Sequence, residues 1–391
     1  MKRFVFITAW FSCLILAGCI TDYEAKGVDE EKDILVVEGL ITEGESYITL
    51  SRSIYLNDVA TFNYIYDATV YVECEDGTRM EAENPSLDPY WGFSTNRYAI
   101  QIDQLYLDRK YRLKIEINEP DIQSRYAYDE VAYKTFEYAS DYSYPIATPE
   151  IDSVFWTKRE KGHPISIHVA THDPDNRALY FRWSYREDWQ IISDVSSMPP
   201  YYYPYFCWNF ENSHELLLGS GNKTIFGNVT EILTQMPPYS RKLEALYRID
   251  VKQNAISKRA HDYFTNIKKN AQHSGSLFTP TPSELRGNIV CITDPNRPVI
   301  GYVDVSLTTQ KRRYITRAED VYEYARRTYD CEPVLEDSLR VRFDEFGGIP
   351  IYYVPYNEIT GPFGIQLFYI INSCVDCTLF GTTQKPDDWP N

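Results

Sequence analysis

Ala68–Thr78 reads ATVYVECEDGT, and this stretch decides the fold class. β-branched and aromatic side chains alternate with others up to Cys74, the period of a half-buried strand. Glu75-Asp76-Gly77-Thr78 then makes a hairpin turn, because Gly takes φ > 0 without a steric penalty. Working outward, Ile34–Thr42 (ILVVEGLIT) is a β-branched run, and Tyr47–Ser53 (YITLSRS), Tyr98–Ile102 and Tyr111–Ile117 keep the period of two. Short, evenly spaced strands predict an Ig-like or transthyretin-like β-sandwich over residues 34–138. Residues 139–150 are Tyr/Ser/Pro-rich and read as a linker. A second β series follows in Asp152–Trp156, Ile165–Thr171, Leu179–Tyr185, Ile289–Ile292 and Val299–Leu307. It predicts a larger β-rich domain over 151–391.

One segment breaks the strand pattern. In 256–271, Ile256, Ala260, Tyr263, Phe264, Ile267 and Ala271 fall on one face at helical spacing, which predicts an amphipathic helix packed on a sheet. A shorter helix is expected over Arg317–Tyr329, opened by a capping box of Thr316 and Glu319. The expected fold is therefore mainly β, with one or two helices.

The chain has 391 residues and a net charge of −17, with 43% hydrophobic and 24% charged residues. Those proportions exclude general disorder and fibrous classes. The acidity argues against nucleic acid as a partner, since phosphate tracking needs a basic surface. Tyrosine is the unusual residue, with 34 copies against 18 Phe and 7 Trp.

Residues 1–18 read as a lipoprotein signal peptide. Lys2 and Arg3 give a positive start, Phe4–Leu16 an apolar stretch, and Leu16-Ala17-Gly18-Cys19 a small-residue exit before a thiol. The apolar stretch is shorter than the ~20 residues that span a bilayer. Cys19 is thus the expected lipidation site, and the expected partner of the N-terminus is a membrane. Multiple acyl chains would hold it stably. Residues 19–33 are acid-rich and predict a flexible tether. Residue 20 is Ile rather than Asp, the inner-membrane retention residue, so the expected location is the outer membrane, with surface exposure compatible.

Apart from Cys13 and Cys19, six cysteines remain: Cys74, Cys207, Cys291, Cys331, Cys374 and Cys377. An even number in an exported chain points to disulfides, with fifteen pairings possible. Cys374-x-x-Cys377 admits a structural bridge pinning the C-terminal tail, free buried thiols, a redox pair or half of a zinc site. No second ligand pair of matching spacing accompanies it, and Thr378–Asn391 is not helical in pattern.

Candidate chemistry is sparse. His168 and His172 share a strand face, but i,i+4 on a strand separates Cα atoms by ~13 Å, too far for one metal ion. Asp173-Pro174-Asp175-Asn176 reads as an Asx turn before it reads as a calcium loop. No nucleophile elbow, phosphate loop, dinucleotide fingerprint or zincin helix motif occurs. No enzyme activity, cofactor or metal is expected. The strongest functional lead is Pro199–Trp208 (PPYYYPYFCW), where prolines hold the chain extended and Tyr offers an apolar face with a hydroxyl. Tyr201, Tyr202, Tyr203, Tyr205 and Trp208 are the candidate ligand platform. The competing reading puts half of these rings in a core, anchored by Cys207.

The Cys19 leader, Leu35–Thr42 (LVVEGLIT), Val154-Phe155-Trp156, Asp173–Trp183 (DPDNRALYFRW), Gly275–Asn288 (GSLFTPTPSELRGN), Val299-Ile300-Gly301-Tyr302 and the Cys374-x-x-Cys377 tail with Lys385-Pro386 and Trp389 together resemble a family of Bacteroidetes envelope lipoproteins. That family is domain of unknown function 4249. Its members are commonly encoded beside TonB-dependent outer-membrane receptors. The resemblance implies a non-enzymatic surface accessory to uptake, with a TonB-dependent receptor as partner. It assigns no catalytic or binding residue. The alternatives are a structural or adhesive envelope protein without a receptor, and a hydrolase lacking a local motif.

Overall fold

A computed structural model describes residues 34–53, 63–85, 96–120, 133–160, 162–221, 227–238, 240–273, 287–316, 319, 331–343, 353–362 and 364–390. The signal, Cys19 and tether positions, most of Gly275–Asn288, and the body of the 317–329 helix lie outside them. Of the capping box, Thr316 N donates to Glu319 Oε1 at 3.3 Å.

The first unit contains β1 (Leu35–Gly39), β2 (Gly44–Arg52), β3 (Asn63–Tyr64), β4 (Thr69–Cys74), β5 (Arg79–Glu83), β6 (Tyr98–Ile102), β7 (Tyr111–Pro120) and β8 (Tyr133–Ser140). The β4–β5 hairpin forms at the predicted turn, with Gly77 at φ +90°. β5 serves both layers: Arg79–Glu81 pair with β4, and Ala82–Glu83 pair with β6. The alternating residues of these strands, among them Val37, Ile48, Val72, Ile100, Leu113 and Ile115, fill one core. Each such side chain contributes about 1.5–3 kcal/mol by leaving water.

The second unit packs two sheets face to face. Its strands are β9 (Ile151–Thr157), β10 (Ile165–Thr171), β11 (Tyr180–Ile192), β12 (Phe206–Asn212), β13 (Leu217–Ser220), β14 (Val229–Met236) and β15 (Tyr247–Ala255). Helix α1 (Lys258–His273) follows, close to its predicted place. The chain then runs through β16 (Ile289–Cys291), β17 (Val299–Gly301) and β18 (Thr308–Ile315). One sheet has the order β14-β10-β9, and the other β12-β11-β15-β18 with β13 beside β11. Ile165, Ile167 and Val169 of β10 meet Phe181, Trp183, Ile249 and Val251 in the core between them. A small third sheet takes β19 (Val334–Leu335), β20 (Tyr353–Gly361) and β21 (Gly364–Ile371) in the order β19-β21-β20. Helix α2 (Glu336–Phe343) lies between β19 and β20 in the chain.

Two features depart from the linear domain reading. First, β16 and β17 return to the first unit, as the two edges of a sheet ordered β16-β8-β7-β4-β5-β6-β2-β1-β17. Ile289, Cys291, Val303 and Val305 join the first core. The edges meet where Asn288 N donates to Gly301 O at 3.2 Å. A Cβ on Gly287 would lie 1.5 Å from that same oxygen, so only glycine allows the approach. A strand's periodicity shows which face is apolar, not which edge it will join. Second, residues 139–150 are no free linker. Ala139 and Ser140 end β8, Ser143 bridges Tyr111, and Ile146 bridges Ser306.

Among the described residues no helix is long and apolar enough to cross a membrane.

Candidate functional site: an aromatic loop stapled to the C-terminal tail

The stretch 193–208 leaves β11, turns at Pro199-Pro200 and returns as edge strand β12. Its ends are tied together, since Ser193 N donates to Tyr205 O at 2.9 Å and Ser193 Oγ donates to Pro204 O at 3.0 Å. Cys207, fully buried, is bridged to Cys377. One residue on, Trp208 and Thr382 exchange backbone hydrogen bonds at 2.8 Å in each direction. Asn209 Nδ2 donates to Phe380 O at 2.8 Å, and the Arg241 guanidinium lies 3.3 Å from the Phe380 ring centroid. A second bridge joins Cys331 to Cys374. Cys374 and Cys377 therefore bind two different partners rather than each other, and together they fix the tail against the loop.

The pairing expected for Cys74 and Cys291 is corrected here, since both are buried free thiols. They sit on β4 and β16, which β7 and β8 separate, and Cys291 shares a row with Val70, four residues from Cys74. That places them well beyond the ~7 Å Cα limit for a bridge.

The predicted platform splits. Tyr203 packs with Tyr356, Ile370 and Val375 in a small core, and its hydroxyl donates to Pro355 O at 3.0 Å. Tyr201 donates to Glu358 Oε1 at 2.9 Å, and this carboxylate pushes the phenol above its usual range. Trp208 is half-buried, with Nε1 lacking an acceptor among the described residues. Tyr202 at 78% and Tyr205 at 37% remain exposed. Phe206 and Phe210, 46% and 55% exposed, were not named from the sequence, and they complete the surface. Phe206, Trp208 and Phe210 follow at i, i+2 and i+4, so one face of β12 carries all three rings. The alternation in FCWNF was the available signal. Tyr205 meets Phe206 edge-on at 4.8 Å, and Arg186 covers Phe210 at 4.3 Å.

The tail is also held by charge. Arg248 binds Asp188 at 2.9 Å and Asp388 at 2.9 Å, and Arg312 binds Asp250 and the second oxygen of Asp388, each at 2.5 Å. These two guanidinium groups hold the Asp388 carboxyl down at about 2. On the inner face, Glu187 is buried and accepts from Tyr247 Oη at 2.6 Å and Lys242 Nζ at 2.5 Å. Burial, then the Glu187 charge, pushes the Tyr247 phenol well up.

The histidines have structural partners. His168 stacks on Phe155 at 5.0 Å and shares a hydrogen bond with Thr157, while His172 Nδ1 lies 2.7 Å from Asp152. Asp173 accepts from the backbone N–H groups of Asp175, Arg177 and Ala178, which is the predicted Asx turn. Burial alone would raise that carboxyl, but the three donors outweigh it and hold it low. Asp194, Cys331 and Cys374 bring an oxygen and two sulfurs within 4.8 Å of one another, but both sulfurs are spent in the bridge.

With loop, bridges and tail in place, the family can be stated. The chain belongs to the DUF4249 family. The family described as Domain of unknown function (DUF4249) matches residues 20–312. The DUF4249 match therefore includes the first sandwich, the aromatic loop and the second sandwich as far as the middle of β18. It ends before Cys331, Cys374, Cys377 and Trp389, so the stapling tail lies past it. No curated protein matches the chain.

Proposed function

We propose that this DUF4249 protein is a lipid-anchored accessory of the outer membrane. In this reading it is non-enzymatic and uses its aromatic surface to dock onto a TonB-dependent receptor or to hold ligand for one. The observation that carries the reading is the rigid exposure of Tyr202, Tyr205, Phe206 and Phe210 on a loop fixed by Cys207–Cys377. Exposed rings cost free energy in water, and rings already ordered lose little entropy on binding. The leader ending at Cys19 supports the anchor, because tethering to a surface raises the effective concentration near a membrane receptor.

The test is affinity purification from native membranes in mild detergent, comparing the wild type with a Tyr202→Ala/Phe206→Ala variant. An outer-membrane receptor should co-elute with the wild type and be lost from the variant, with near-UV circular dichroism unchanged. Recovery of no receptor, or equal recovery with both proteins, contradicts the proposal. For the anchor, Cys19→Ala should release the chain from the membrane fraction.

A further inference from the structure

The small third sheet ends on β20, an edge strand with no neighbour on its outer side among the described residues. Bare strand edges invite pairing with another chain, and proteins blunt them with lysine, proline or a bulge. The first half of β20 is blunted in this way. Pro355 interrupts it, the register shifts between Pro355 and Asn357, and Pro355 O accepts from Tyr203 Oη at 3.0 Å. The second half is not. Residues 357–361 read NEITG, and the one charge, Glu358, accepts from Tyr201 Oη at 2.9 Å. Glu358, Ile359 and Thr360 are all exposed, Ile359 to 48%, and Ile365 across the hairpin is exposed to 65%.

The register tells which backbone groups point outward. β20 and β21 pair down to Gly361 and Gly364, which leaves a two-residue turn. The pair that flanks such a turn is a hydrogen-bonded one, and the bonding alternates along the ladder. Gly361 and Ile359 therefore turn their N–H and C=O groups toward β21, and Glu358 and Thr360 turn theirs outward. None of these four outward groups has a backbone partner among the described residues. Cross-strand partners share a face. Glu358 and Thr360, with Leu367 and Ile365 opposite them, thus line the face that Tyr201 touches, and Ile359 lies on the other.

We propose that the outer edge of β20, at Glu358 and Thr360, takes an extended segment of the outer-membrane receptor as an added strand. This rests on the docking reading above and names how the partner is held. Donors and acceptors alternating along a strand edge are matched by another extended polypeptide, whose own backbone repeats at the same interval. The backbone bonds supply affinity, and Ile359 and Ile365 select apolar side chains on the two faces of the incoming strand. Tyr201 and Tyr203 tie the hairpin to the aromatic loop, so this edge and the exposed Tyr202 belong to one surface.

The complex of the full chain, purified from native membranes, carries the test. Hydrogen exchange resolved to single residues should slow by about tenfold or more at the Glu358 and Thr360 amides in the complex, with Ile359, already bonded to β21, unchanged. Thr360→Pro removes one outward donor and spares the β20–β21 ladder, since proline is tolerated where the N–H faces solvent. It should cut receptor recovery by about tenfold or more, whereas Thr360→Val, which keeps the N–H, should recover the wild-type amount. Retained protection at Ile359 and Gly361 shows that the proline variant keeps its hairpin. Unchanged exchange at Glu358 and Thr360 in the complex, or equal recovery with Thr360→Pro, overturns the added strand. If Tyr202→Ala/Phe206→Ala still loses the receptor in that case, the docking reading stands without it. A wild type that recovers no receptor ends both. A wild-type dimer in light scattering that Thr360→Pro turns into a monomer makes a second copy the occupant and overturns the receptor strand.

Discussion

Replacing Cys207 and Cys377 together with Ala removes the longer of the two staples, and the structure sets the expected loss. The bridge closes a separation of 170 residues. With Cys331–Cys374 intact, the shorter path runs from 207 to 331, across to 374 and on to 377, about 130 residues. Loop-closure entropy depends on the logarithm of that length, so either path gives about 5 kcal/mol at 25 °C. Native strain and residual structure in the unfolded chain reduce such figures, and about 3–5 kcal/mol is the working range. Both sulfurs are buried in the second core, so Ala adds a small packing loss. For a unit of about 200 residues, each kcal/mol moves Tm by about 2–4 °C, and the second sandwich should melt about 10 °C earlier. Scanning calorimetry with and without reductant is the assay. Reductant should lower the wild type past the untreated variant, and should lower the variant further, because it also opens Cys331–Cys374. A drop of under about 3 °C in the variant would refute the view that the tail is a structural staple.

Thiol titration of the unfolded, unreduced chain should find two reactive groups among the six cysteines from Cys74 to Cys377, namely Cys74 and Cys291. More than two would refute the pairing. Lys242→Met should cost about 3 kcal/mol in urea unfolding, because it strips a buried carboxylate, Glu187, of its cation. A neutral result would show that Tyr247 alone satisfies Glu187. Asp388 has a lowered folded value, so its contribution is present above the ordinary carboxylate range and is lost as pH falls toward about 2. Asp388→Asn should flatten that acid limb in a series of urea midpoints. Asp304 has the opposite sign. Burial pushes it up against hydrogen bonds from Ser257, so the fold holds its proton longer than the unfolded chain does. Stability from this group falls as pH rises from its unfolded value through its folded one, and Asp304→Asn should remove that slope.

Much of the fold was legible locally. Ala68–Thr78 specified a hairpin through its alternation and one glycine, Ile165–Thr171 specified a strand to the residue, and the α1 stripe specified a sheet-packing helix. Strands β14, β15 and β18 were not legible. Charged and amide residues such as Glu231, Arg248, Asp250, Lys311 and Arg312 interrupt their alternation, and their partners come from distant sequence. The aromatic loop announced itself by composition. Which rings would face water was decided by Cys377, Pro355 and Glu358, all more than 140 residues away.

The sequence by itself determined what depends on neighbours in the chain: strand period, turn glycine, helix stripe and the leader motif ending in Cys19. Only tertiary structure decided that residues 287–307 complete the first sandwich and that two bridges share the Cys374-x-x-Cys377 pair. Those outcomes depend on which edges and faces meet. Burial of apolar faces fixes that choice for the whole chain at once, since the hydrophobic effect has no direction and does not distinguish near residues from far ones.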